Sequence, residues 1–568
     1  MHVAKIERRH GERVYTSYLV RRSVREGKGV RLVTVANVSK LPPEAIEALR
    51  RALAGETLLA PGEAFRVERS LPHGHVAALL AMAERLNLPR LLDRAPSRER
   101  AGALAMVLQR VLEPGSKLAC TRALRQSTLA EELSVEGVDA DDLYAALDWL
   151  GERQGAIEGR LARRHLREGT LVLYDVSSSY FEGRTCPLAE RGYSRDKRRG
   201  SLQIVYGLVC EPEGCPIAIE VYEGSLHDDE TLLDQVEKLR RRFGLRTVVL
   251  VVDRGMVTEA NLDALRAEEG IAWISALKAP AVRKLVKEGT LQLSLFDELN
   301  LAEVESPDYP GERLVVCRNP LVAEDRRRTR EELLQATEGV LAPIKARVEA
   351  GTLRGKAEIG LAVGQEVNRF KVKKHFEPTI EDERFEYRRK EAQIEEEAAL
   401  DGFYVLRTSV AAEELDGPEV VRSYKALAQA ERAFRTLKGP ELELRPIHHR
   451  LEKRVRAHAF LCLIAYYLEW HLREAWAELL FDDECPPVAT DPIAKAERSP
   501  KAKRKASTQR TATGEVCHSF RSLLRELALV VRSTNRVPGS EAAFDTVTDP
   551  NQTQARALEL VELMPKPT

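Results

Sequence analysis

Three acidic residues have the type and setting to hold hard divalent cations: Asp175 in LVLYDVSS, Asp253 at the end of TVVLVVD, and Glu431 in YKALAQAERAFRTLK. Both aspartates sit in aliphatic runs of the kind that form strands buried on both faces. A carboxylate there carries a desolvation cost, and two brought together raise each other's pKa. A divalent cation removes both penalties. All-oxygen donors suit Mg²⁺, which keeps several waters and takes one or two carboxylates. A plainer reading stays open for each aspartate, as a strand-end acid capping the turn or helix that follows. For Asp253 that helix would start in DRGMVTEANL.

Glu431 is reached by helix arithmetic. Tyr424, Glu431 and Lys438 are seven residues apart, and seven residues return to within about 20° of the same helix face. One stripe thus carries a phenol, a carboxylate and an ammonium. Leu427, Phe434 and Leu437 lie where they can pack the helix on a sheet. The alternative is an exposed face with ordinary charges.

These side chains need elements to bring them together. LVLYDVSS (171–178), SLQIVYGLVC (201–210) and PIAIEVYEG (216–224) read as strands, the last two joined by Glu-Pro-Glu-Gly. A helix over 228–244, the strand 247–253, a helix at about 257–268 and the strand 271–277 follow. The order β-β-β-α-β-α-β is that of an α/β, ribonuclease-H-like mixed sheet. In such a sheet the first and fourth strands are neighbours, so Asp175 and Asp253 meet. Residues 167–280 form the first part of this core and 401–480, with the strand 402–409 and the Glu431 helix, the second. Between them, 281–400 reads as an inserted α+β subdomain. Residues 1–60 hold a β-hairpin turning at Glu26–Gly29, and 70–166 are helical by periodicity. That helical stretch is open to two readings, a DNA-end-binding domain or a packing module. Residues 485–515, with SPKAKRKASTQR, read as a flexible basic linker, and 516–568 as a helical tail.

The 568 residues are 43% hydrophobic and 31% charged, a soluble, folded composition able to bury several cores. No apolar run is long enough to span a membrane and no signal peptide stands at the N-terminus, so a cytoplasmic protein is expected. Lys+Arg and Asp+Glu both number 88, so any nucleic-acid contact must come from local clusters of positive charge. One is the loop RDKRR, with Arg195, Lys197 and Arg198; the other reading is a solvated turn. His227, in SLHDDE, reads either as a solvated loop histidine or as a metal-site or phosphate neighbour. His448 and His449 are further candidates for DNA contact. The eight cysteines include no CxxC, and no histidine pair is spaced to complete a zinc site with them. They read as reduced, mostly buried side chains.

Tyr424–Lys438 resembles the Y-x2-R-x3-E-x6-K signature of bacterial DDE insertion-sequence transposases, with Leu427 standing at the arginine position. YDVSSSYFEG, GYSRDKRRGSLQIVYGL, PIAIEVYEGSLHDDETL and VVDRGMVTEANL resemble the blocks around the first two acids of that group. LDGFYVLRTS and ELRPIHHRLEKRVRAHAFLCLIAYYLEW resemble later ones. The resemblance implies a transposase that cuts and joins double-stranded DNA at the terminal inverted repeats of an insertion sequence and at a target. It implies two Mg²⁺ ions, with Mn²⁺ as a substitute, Asp175 bridging both while Asp253 and Glu431 each hold one. It also implies Tyr424 and Lys438 on backbone phosphates, Arg432 and Arg435 as neighbouring DNA contacts in place of the missing arginine, and a homodimer in the DNA complex, associated with the nucleoid when bound. Two alternatives stand beside it: a ribonuclease-H-like nuclease that cuts without joining, and a catalytically degenerate DNA-binding relic.

Overall fold

The computed structural model describes residues 1–11, 13–27, 29–56, 65–196, 198, 200–289, 300–487, 491–494, 497–538 and 541–564. The chain forms two compact units. The smaller joins Met1–Pro72 to Val530–Asp549. Its first sheet is three-stranded: the expected hairpin, Arg13–Glu26 with Gly29–Asn37, is extended by His2–His10. The amphipathic helix Pro43–Leu53 adds Ile46 to a small core with Val3 and Val20. A second sheet pairs Arg66–Pro72 with Val531–Arg536 and Ala543–Val547. The expectation of a helical tail over 516–568 is corrected here. Val531–Arg536 and Ala543–Val547 are strands, as β-branched VRSTNR and AFDTV favour; among the described residues of the tail, the helices are Phe520–Leu527 and Gln552–Leu563.

The larger unit is built on an eight-stranded mixed sheet. Its spatial order, by residue, is 301–304, 313–318, 403–408, 271–276, 248–252, 170–180, 203–210, 216–222. Strand Thr170–Tyr180 lies parallel to Val248–Val252 and antiparallel to Gln203–Cys210. The inner strands are aliphatic on both faces, as a sheet covered by helices requires. Gly207 is fixed by close approach, because a Cβ there would meet the Tyr174 ring and hydroxyl within 2.8 Å. The strands Leu301–Val304 and Arg313–Arg318 extend this sheet, so the expected insertion over 281–400 starts too early. A separate core forms only beyond them, from Leu334, Leu341, Ile359 and Val363 packed against Phe376 and Phe385. Patterning missed this because short edge strands leave little periodicity to read.

Two helices cover the face that carries Asp175. Gly417–Lys438 starts in a capping box: Asp416 Oδ1 accepts from Glu419 N at 2.7 Å and Glu419 Oε2 from Asp416 N at 2.9 Å. Such a cap contributes about 1 kcal/mol. Val420, Leu427, Ala430, Phe434 and Leu437 form its buried stripe. Glu452–Ala475 is apolar nearly all round and buried over most of its length, as a helix packed on every side must be. It bears on the sheet and on the helices Arg98–Leu112 and Ala140–Glu152, so the helical stretch from 74 to 165 shares one continuous core with the sheet.

The expected linker over 485–515 is also corrected. Pro500–Thr508 is a helix capped by Ser499, whose Oγ accepts from Ala502 N at 3.1 Å. Lys505 is buried, donates to Ala477 O (2.7 Å) and Leu480 O (3.1 Å), and pairs with Glu484. The composition suggested a solvated run because a lysine buried against carbonyl oxygens has no one-dimensional signature. Residues 488–490 and 495–496 of that stretch lie outside the described residues.

Candidate active site

The parallel register places Tyr174 opposite Val252, and the next residue on each chain is an aspartate. Asp175 and Asp253 therefore leave the sheet side by side on one face. Strand alternation puts Ser177 and Ser179 on that face too, under the helix that carries Glu431. Phe434 of the helix packs on Tyr206 at 5.6 Å between ring centres. Lys438 Nζ donates to Ser177 Oγ at 2.7 Å and Ser178 O at 2.6 Å.

The Asp175 carboxyl is pushed up to about 7, chiefly by burial and also by Asp253 and Glu431, against the opposing Val176 amide (N to Oδ1 2.8 Å) and Arg195. Tyr424 feels the same acids. Burial, then the charges of Asp253, Asp175 and Glu431, push its phenol up to about 12. Tyr424 and Glu431 thus lie within electrostatic reach of the two aspartates. Glu431 itself is exposed. The three carboxylates are not gathered within 4.8 Å of one another.

Asp253 accepts from Gly255 N at 3.4 Å and does not cap the next helix. Thr258 does that, its Oγ1 accepting from Asn261 N at 3.3 Å. An acid missed from sequence joins this group. A Cβ on Gly255 would stand 3.5 Å from Asp253 Oδ2 and 3.9 Å from Asp228 Oδ2, so Asp228 flanks Asp253. Asp228 is paired with Arg195. The run His227-Asp228-Asp229 was the available signal, but it was read for its histidine alone. His227 is exposed on the same cleft, whose lining includes Arg191, Tyr193, Arg195, Asp228 and Gly255.

The residues expected on DNA divide into three groups. Arg432 and Arg435 are exposed on the helix. Arg198 stacks over Tyr180 at 3.8 Å and reaches Glu182 at 3.4 Å; Lys197 lies outside the described residues. Lys438 departs from expectation. It is turned inward on the two serines and Asp196 (3.5 Å), and burial pushes its ammonium down to about 8. In this state the lysine ties the helix end to the Asp175 strand and is not displayed to solvent. Leu427, at the motif's arginine position, is a core side chain. His449 packs on Tyr144 and His458, and burial pushes its imidazole down to about 3; His448 is exposed. No helix among the described residues is long and apolar enough to cross a membrane.

The model of the transposase DDE domain matches residues 167–468, and that of the IS1634 family transposase N-terminal domain matches residues 3–62. No curated protein matches. Among solved structures, a cryo-EM structure of the piggyBac transposase synaptic complex with hairpin DNA is similar at 9% identity. The match covers 81% of this chain and 80% of that one, with a TM-score of 0.35. The DDE domain model takes in the whole Asp175–Asp253–Glu431 frame and more than half of the sequence, and the chain belongs to the insertion-sequence DDE transposases.

Proposed function

We propose that this transposase cleaves and joins DNA at a site made by Asp175, Asp253 and Glu431 on a ribonuclease-H-like sheet. The observation that carries the reading is the register pairing of Tyr174 with Val252, which sets two aspartates side by side under the Glu431 helix. The donor set is all carboxylate, and Asp175 is held at a raised pKa by burial and by its acidic neighbours. Such a site fits Mg²⁺ or Mn²⁺. Asp175 would be shared between two ions, with Asp253 and Glu431 holding one each. When bound, the ions supply activation of the attacking oxygen and charge stabilisation at the leaving one.

The chain's own residues do the positioning. Lys438 fixes the helix against the strand, so Glu431 is delivered at a set height above Asp175. Arg195 balances Asp228 beside Asp253 and lines the cleft where a phosphate backbone would lie. The exposed guanidiniums of Arg432 and Arg435 offer phosphate contacts that carry no sequence information. Tyr424, high in pKa, stays a neutral donor there at every working pH. A homodimer on paired element ends is the assembly that this reading takes.

The test is a joining assay. Incubating the full chain with a labelled duplex carrying an inverted repeat, a supercoiled target plasmid and Mg²⁺ should give label covalently joined to the plasmid. Cleaved ends without joined product would favour the nuclease reading instead.

A further inference from the structure

Elsewhere in the core, the fold assembles a cluster that has no role in the reading above. His165 at the end of the helix Gln154–His165, Cys215 before the strand Pro216–Tyr222, and His471 on Glu452–Ala475 each offer one ligand atom. These three atoms all lie within 4.8 Å of one another. Cys215 is fully buried, His471 is 7% exposed, and the His165 side chain 9%. His471 Nε2 is buried with no hydrogen-bond partner. An orphaned imidazole nitrogen in a packed core costs about 1–3 kcal/mol and calls for an explanation.

We propose that His165, Cys215 and His471 bind a Zn²⁺ ion, with water in the fourth tetrahedral position. The donors are two imidazoles and a thiol, soft to borderline ligands that select zinc over magnesium. The chemistry therefore differs from that of the acidic site. Glu211 supplies what a zinc site of this kind needs around it. Its Oε2 lies 3.2 Å from His165 Nδ1, the carboxylate–imidazole arrangement that orients metal-bound histidines and sharpens their basicity. A thiolate on Cys215 and the Glu211 carboxylate together neutralise a dication beside Arg164, which donates to Tyr467 Oη at 3.1 Å. His165 Nε2 now rests 3.0 Å from that hydroxyl, so the phenol stands where it can be displaced or become a neighbour of the ion. Binding releases the thiol proton to solvent.

The consequence is mechanical. The three ligands come from the N-terminal helical layer, the turn between two sheet strands and the central buried helix. One ion would cross-link these three elements of the larger unit.

The experiment uses the full chain, stripped with chelator and kept in excess Mg²⁺ so that the acidic residues are saturated. Zn²⁺ or Co²⁺ is added, unbound metal is removed by gel filtration, and metal content, the Co²⁺ absorption spectrum and Tm are read. The expected result is about one equivalent of zinc retained, a tetrahedral Co²⁺ spectrum with a thiolate charge-transfer band, and a Tm raised by zinc but not by further Mg²⁺. Cys215→Ala should lose the charge-transfer band, Cys485→Ala should keep it, and Glu211→Gln should weaken zinc about 10–100-fold while retaining the band. The Co²⁺ spectrum of the unsubstituted chain decides even if Cys215→Ala fails to fold. A wild-type chain that retains no zinc, or whose bound Co²⁺ lacks the thiolate band, overturns the proposal and leaves DNA cleavage untouched.

Discussion

At the scale of residues, the proposed site sets a carboxyl where burial and like charges oppose its ionisation. The Asp175 carboxyl is raised from 3.8 to about 7, first by burial and then by Asp253 and Glu431. A raised folded-state pKa means the folded chain binds this proton more tightly than the unfolded one. The associated stability is fully present below about pH 4 and is lost as pH rises through about 7. Asp175→Asn mimics the protonated form. In metal-free buffer it should be more stable than wild type above pH 7, by about 2–4 kcal/mol, with the gap closing as pH falls towards 4. Thermal melts across that range check it; a gap that does not change with pH would show that Asp175 does not titrate as described. Arg432→Ala and Arg435→Ala act by charge on an exposed face. Each should weaken binding to duplex DNA of any sequence and reduce the slope of log affinity against log salt by about one, with Tm unchanged. Lys438→Met should behave differently. Ser178 O and Asp196 would lose their donor, so a stability loss of about 1–3 kcal/mol should accompany any effect on DNA.

At the scale of elements, the sheet has to hold its strands in register for the two aspartates to stay together. Much of this was legible. Alternating and continuous apolar runs marked the strands 170–180, 203–210, 216–222 and 248–252, and their order put Asp175 beside Asp253. Seven-residue spacing placed Tyr424 and Glu431 on one stripe. What escaped depended on contacts between distant segments. Lys438 faces inward because Ser177 and Asp196 wait there, which no helix periodicity records. Asp228 stands beside Asp253 across the turn at Gly255, a meeting of two distant segments that no local pattern records. The edge of the sheet depends on another buried pair. Arg407 donates Nε and Nη2 to the Glu312 carboxylate at 2.6 and 2.7 Å, both residues being buried. Arg407→Met leaves Glu312 with Arg266 alone. It should cost about 3–5 kcal/mol, read as a lower midpoint in urea with the slope unchanged. A midpoint within error of wild type would mean the pair contributes only at the surface.

At the scale of the molecule, one continuous core joins the helices of 74–165, the mixed sheet and the buried helix Glu452–Ala475, while strands from both ends of the chain build the smaller unit. A core so large holds a few charged side chains in costly positions without losing the fold, and those are the places where sequence rules were broken. Mg²⁺ should raise the Tm of wild type and not that of Asp175→Asn, because only a folded acidic site binds it. The most direct measurement is cleavage of a labelled duplex carrying an element end, in Mg²⁺, by Asp175→Asn, Asp253→Asn and Glu431→Gln, each with its melting curve. The expected result is a loss of about 10³-fold or more in each, with the fold intact. Any one of the three cleaving at near the wild-type rate would contradict the shared site.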